Sequence, residues 1–180
     1  MKNLILKTVI IYILFTSCST FIEPIEYSNL AELTPDKLNI LNGDYKRKTV
    51  NQANITNGDL FNSFFMFFKD KGKDNQNDVV KLEVLKQNKI KVSLIKNGVP
   101  FKSRKMKGKL LKNTFDFNRR NLIIPLFPLA IYYDKKARIS IKKNGNLMVD
   151  TKETRYGTFI FFPFCGSNEY YGAEFEKVDN

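Results

Sequence analysis

Lys89-Ile90-Lys91-Val92-Ser93-Leu94 alternates strictly between polar and apolar residues, and Asn97-Gly98 stands just beyond it. A period of two puts Ile90, Val92 and Leu94 on one face of a strand. Asn-Gly is the pair that a two-residue type I′ turn demands, because both central residues take positive φ. A β-hairpin centred on Asn97-Gly98 is therefore predicted. C-terminal to it, Phe115 and Phe117 flank Asp116, and Arg138-Ile139-Ser140-Ile141-Lys142 alternates again. Asn144-Gly145 reads as a second two-residue turn, followed by Leu147 and Val149, then Phe159 and Phe161, with the last strand within 170–177. The apolar run 122–133 contains Pro125 and Pro128, which predicts one edge or bulged strand there rather than a helix.

N-terminal to the hairpin, Thr34-Pro35-Asp36 reads as a helix start with Thr34 as N-cap, and Asn42-Gly43 stops that helix. Gly43-Asp44-Tyr45 opens the first strand, and residues 51–58 and 69–78 read as polar loops. Between them Phe61, Phe64, Phe65 and Phe68 share one helix face, to be buried either as a lid on the barrel or in a membrane interface. Short strands with frequent turn signals, after one or two short N-terminal helices, give a mainly β, antiparallel barrel or sandwich.

The short helix, then Gly43-x-Tyr45 opening the first strand, then hairpin after hairpin over residues 30–178, resembles the lipocalin-like (calycin) barrels, with Tyr45 where they usually carry Trp. The chain also looks like small lipocalin-like lipoproteins of Bacteroidota. The resemblance implies a closed up-and-down barrel in which Gly43 and Tyr45 are structural and the interior takes a small apolar ligand.

The first 17 residues have a basic start (Lys2, Lys7) and an apolar stretch over 8–15, too short for a spanning helix, which needs roughly 20 residues. Phe15-Thr16-Ser17-Cys18 resembles a bacterial lipobox, which implies cleavage after residue 17 and acylation of Cys18 with palmitate-type chains. The expected organisation is a signal peptide over 1–17, a lipidated tether over 18–29 and one β domain over 30–180. Ser19 is not the Asp that retains lipoproteins in the inner membrane of some bacteria, which points to an outer-membrane anchor facing the periplasm or the surface.

The chain has no His and two Cys. The commonest general base and metal ligand is thus missing, and with Cys18 acylated, Cys165 reads as a small apolar residue without a disulfide partner. No nucleophile elbow, phosphate loop, dinucleotide fingerprint or metal-spaced cluster is present, so neither an enzyme nor a cofactor is expected. Residues 81–120 hold 13 Lys and Arg against Glu83 and Asp116. Export excludes nucleic acid as the target of that charge, leaving an anionic lipid, polymer or protein partner, or a face kept soluble by Lys. A two-residue turn would pair Lys96 with Val99, Leu94 with Phe101, Ser93 with Lys102 and Lys91 with Arg104, gathering Lys89, Lys91, Lys102 and Arg104 on one outer face. Two functions follow: a carrier of an apolar ligand inside the barrel, or an envelope interaction protein with a solid core and a basic face.

Overall fold

The computed structural model describes residues 29–50, 59–64, 78–118, 120–126, 129–159 and 162–178. Residues 1–28, including Cys18, lie outside them, as do Phe65, Phe68 and Pro128. Ten strands are described: β1 (Gly43–Lys46), β2 (Val79–Lys86), β3 (Lys89–Lys96), β4 (Val99–Leu111), β5 (Thr114–Phe117), β6 (Arg120–Leu126), β7 (Leu129–Ile141), β8 (Leu147–Phe159), β9 (Phe162–Phe175) and β10 (Lys177–Val178). All are antiparallel to their neighbours, in the order β10-β1-β2-β3-β4-β5-β7-β8-β9, with β6 paired to β7.

This sheet is open, which corrects the closed lipocalin-like barrel expected from the sequence. β5 pairs with β7 at only two positions, and from Arg120 onward β6 takes over the same edge of β7. The long β4 stays with β5 over Gly108–Leu111, while its N-terminal part pairs with β3, so β4 and β6 diverge. At the other end β10 meets β1 through Asp44↔Val178 and Tyr45↔Lys177, and the amides of Lys46 and Val50 donate to the carbonyls of Glu176 and Glu174. Those contacts stitch the termini at one corner. Upstream of Glu174, the outer edge of β9 has no partner strand among the described residues.

The turn chemistry explains most of the connections. Asn97 and Gly98 take φ 51° and 78°, and Lys96 pairs with Val99, as a type I′ turn requires. The second expected two-residue turn is instead a three-residue loop. Lys142 N–H donates to Asn146 O, Gly145 N–H donates to Lys142 O, and Gly145 alone takes positive φ, 86°. The Asn144 side chain accepts from the Asn146 amide at 3.0 Å and stabilises that geometry. The run 122–133 is two strands rather than one, β6 returning into β7 with Leu126 opposite Leu129. β9 likewise begins at Phe162, well before the expected last strand. A charge-free run carries no periodic contrast to mark where one strand ends and the next begins.

One sheet face and two short helical segments make the core. Leu38 and Leu41 on a 3₁₀ turn (Leu38–Leu41) and Leu60, Phe61 and Phe64 on α1 (Leu60–Phe64) cover the inward side chains of β2, β3, β5, β7 and β8. The expected helix start at Thr34 is only a turn, Lys37 N–H to Thr34 O, and Lys37 occupies the N-cap position of the 3₁₀ segment. Phe61 and Phe64 are 0% and 2% exposed, and Phe64 packs edge-on against Phe117 at 5.3 Å. The described turn of this helix therefore lids the sheet. Each such side chain contributes about 1.5–3 kcal/mol on burial. Tyr45 is fully buried, its hydroxyl donating to Leu41 O at 3.1 Å, and burial raises its pKa.

Candidate functional site

Two sets of charged residues stand out, one projecting and one buried. The first is the β3–β4 hairpin. Its predicted register slips by one residue beyond the turn: Ile95 pairs with Pro100 and Leu94 with Lys102, leaving Phe101 as the extra residue of a bulge. Pro100, which cannot offer an N–H to the ladder, sits at that irregularity. Lys91 consequently faces Lys105 rather than Arg104, and Lys89 faces Lys107. Lys102 and Arg104 stand opposite Leu94 and Val92, on the other face of the sheet. The four residues expected to share one outer face are therefore split two and two by the bulge.

The hairpin remains basic, in a different arrangement. Residues 99–105 are exposed one after another, on both faces. Lys102, Arg104 and Lys105 project from that segment beside Val99 and Phe101, which are 65% and 61% exposed. Lys96 Nζ lies 4.5 Å from the Phe101 ring centroid. Lys91 is engaged by Glu83 across β2 at 3.1 Å. The like-charge pair Lys91↔Lys105 is destabilising by cross-strand logic, which Glu83 partly offsets.

The second set lies inside and was not singled out from the sequence. Arg47, 2% exposed, follows β1. Its Nη1 is 3.1 Å from Asp78 Oδ2, and its Nη2 and Nε are 2.6 and 2.7 Å from Asp59 Oδ2. Asp59 also caps α1, its Oδ1 accepting from the Asn62 amide at 2.9 Å. On the β7–β8 ribbon, Lys135 and Glu153 are directly opposite and pair at 2.9 Å. Glu153 Oε2 accepts from the Tyr133 hydroxyl at 2.6 Å and from Arg155 Nη2 at 2.7 Å, and Lys135 Nζ donates to Asn62 O at 3.3 Å. Burial pushes the Glu153 carboxyl up, but the Lys135 charge and the hydrogen bonds to Tyr133, Tyr171 and Lys135 override it and hold the group at about 2. Burial first, then Glu153, pushes Tyr133 up to about 12.

On the opposite face, Asp116, Arg138 and Asp150 form a cross-strand row. Burial pushes Asp150 up to about 6 and the Asp116 charge adds to that, against Arg138 and a Tyr170 hydrogen bond. Chemically, Glu153 is an ionised carboxylate, held by Lys135 through Oε1 and by Tyr133 and Arg155 through Oε2, that fixes strands and is a poor proton shuttle at neutral pH. Among the described residues no group of three His, Cys, Asp or Glu side chains could hold a metal ion. No described helix is long and apolar enough to cross a membrane.

An apolar-ligand carrier is overturned by this geometry. The sheet does not close, and the space beneath it is filled by Tyr45, Phe61, Phe64, Phe115 and Phe175 together with buried ion pairs. The chain matches no family model, no curated protein and no solved structure. The lipocalin resemblance thus has no relative behind it, and the lipoprotein and outer-membrane reading rests on residues 1–19 alone.

Proposed function

We propose that this domain is an interaction module of the bacterial envelope, held at the membrane by an acylated Cys18, whose basic β3–β4 hairpin contacts an anionic partner. The observation that carries this reading is the exposure of residues 99–105 on both faces, with Lys102, Arg104 and Lys105 among them. A Lys-bearing outer face needs only one exposed side to keep a sheet soluble, whereas this hairpin presents cations on both. Each basic group near an anionic surface contributes about 1 kcal/mol, so three give roughly 3 kcal/mol, a weak and salt-sensitive contact.

Co-sedimentation with anionic and with zwitterionic vesicles tests it, using protein with Cys18→Ser that lacks residues 1–17. Binding is expected to be stronger to anionic vesicles, to fall as salt rises, and to weaken in the Lys102→Gln, Arg104→Gln, Lys105→Gln variant. Equal binding by that variant would reject the hairpin as the contact.

A further inference from the structure

The chain contains two charge-free runs of 13 residues, 121–133 and 156–168. The register brings them together at one end of the sheet. Leu126, Leu129, Phe159 and Phe162 form one cross-strand row, followed by Pro125-Ala130-Thr158-Pro163, Ile124-Ile131-Gly157-Phe164 and Ile123-Tyr132-Tyr156-Gly166. The next row introduces the first charge, Arg155, opposite Tyr133. Alternation puts Ile124 and Ile131 on one face and Ile123 on the other, and all three are exposed, at 39%, 43% and 62%. This end of the sheet is therefore apolar on both faces.

We propose that this four-stranded end inserts into the interfacial region of a lipid bilayer, which deepens the envelope-interaction reading by naming a lipid surface as partner. A protein groove would cover one face of such a sheet, whereas a lipid interface covers both. The depth fits: three steps of about 3.3 Å separate the first row from the Ile123 row, roughly 10 Å, which matches the 5–10 Å to which interfacial apolar faces sink and falls well short of a span. Tyr132 and Tyr156 stack at 4.4 Å where the apolar rows end, and Arg155 covers the Tyr133 ring at 4.9 Å one row further on. Tyr followed by Arg is the sequence of residue types expected at the level of the headgroups.

The edges argue against a second copy adding as a strand. Pro125 on β6 and Pro163 on β9, the two edge strands of this end, fall in the same row. Neither can donate an N–H to a neighbouring strand, and each removes a donor that lipid could not satisfy. Charge complementarity supplies the rest. Gly108 pairs with Phe117 and the Asn118 amide donates to Lys107 O, so β4 runs from there towards its hairpin in the direction in which β6 advances. The Asn97-Gly98 turn, with Lys102 and Arg104 behind it, thus points to the same end as the apolar rows and brings cations to anionic headgroups there.

The chain contains no Trp, so a single introduced indole reports its own surroundings. Full-length Ile124→Trp and, as a control on a remote exposed site, Ile40→Trp are reconstituted into anionic vesicles with brominated acyl chains. The Ile124→Trp emission should shift to the blue and lose at least half its intensity to bromine, while that of Ile40→Trp stays unchanged. Adding Lys102→Gln and Arg104→Gln tests the charge contact separately: bromine quenching of Ile124→Trp persists at saturating lipid even if the hairpin contributes nothing. An unquenched Ile124→Trp overturns the insertion. So does an indole already shielded from acrylamide before lipid is added, because it would mean that a second protein copy covers this end.

Discussion

The two halves of the β7–β8–β9 ribbon share the same strands and the same inward face, yet hold themselves together by opposite chemistry. Near the Asn144 turn the inward face is Ile139, Ile141, Leu147, Val149, Ala173 and Phe175, all buried. A few rows further along the same face it becomes Lys135, Glu153, Tyr133 and Arg155. The apolar half is stabilised by area removed from water, and its loss would be graded. The ionic half contributes little net energy against an apolar alternative but cannot tolerate losing one partner, because that leaves a buried charge alone.

The sharpest test of this contrast is Glu153→Leu, which takes the carboxylate away from the buried Lys135 ammonium. A loss of about 3–5 kcal/mol is expected from urea unfolding. The double variant Lys135→Met, Glu153→Leu should recover most of it. If the double variant is no better than the single, the pair is more than a replaceable filler. Ile139→Ala, in the apolar half, should cost about 2–4 kcal/mol with no such rescue.

A pH series sharpens the comparison. Glu153 sits at about 2 when folded against 4.5 ordinarily, so its contribution is complete above pH 4.5 and is lost as pH falls towards 2. Asp150 has the opposite sign: raised from 3.8 to about 6, its burial penalty is fully present above pH 6 and is relieved as pH falls from 6 to 3.8. Each shift corresponds to about 3 kcal/mol. The urea midpoint should therefore rise on acidification from pH 7, peak between pH 4 and 5, and then fall. Asp150→Asn should flatten the first limb and Glu153→Gln the second. A midpoint that declines steadily from pH 7 would count against the Asp150 shift.

The smallest expected effect belongs to the projecting hairpin. A Cβ at Gly98 meets nothing within 4 Å, so Gly98→Val is resisted only by the positive φ of 78°. The loss should be about 1–3 kcal/mol in thermal unfolding, and less for any change at Lys96.

The sequence carried the antiparallel hairpins well where alternation and turn residues agree, as at Lys89–Gly98. It failed in two instructive ways. The Phe101 bulge broke the two-residue count, and no residue before Pro100 announces it. Gly43-x-Tyr45 is a three-residue motif and carries nothing about closure, whereas the fate of the sheet depends on where β4 parts from β6, which no local pattern encodes. The buried ions, by contrast, were within reach. Tyr45 is inward, so a period of two carries Arg47 inward as well. Continuing Ile139-Ala137 backwards reaches Lys135, and Leu147-Val149-Thr151 forwards reaches Glu153. Reading charge as a sign of exposure interrupted a periodicity that in fact continues.

The isolated bridge between Leu30 and Lys142 sets the compass of the molecule. It places the start of the described domain at the Asn144 pole, while the 126–129 and 159–162 ends occupy the other, about 13 residues or roughly 40 Å of strand away. Residues 18–29, fully drawn out, reach about 40 Å as well. If Cys18 moors the domain as proposed and the far pole sinks by successive rows of the strands, the strands stand across the interface, the tether is drawn out nearly to its full length alongside them, and the Asn144 pole is the surface offered to the rest of the envelope.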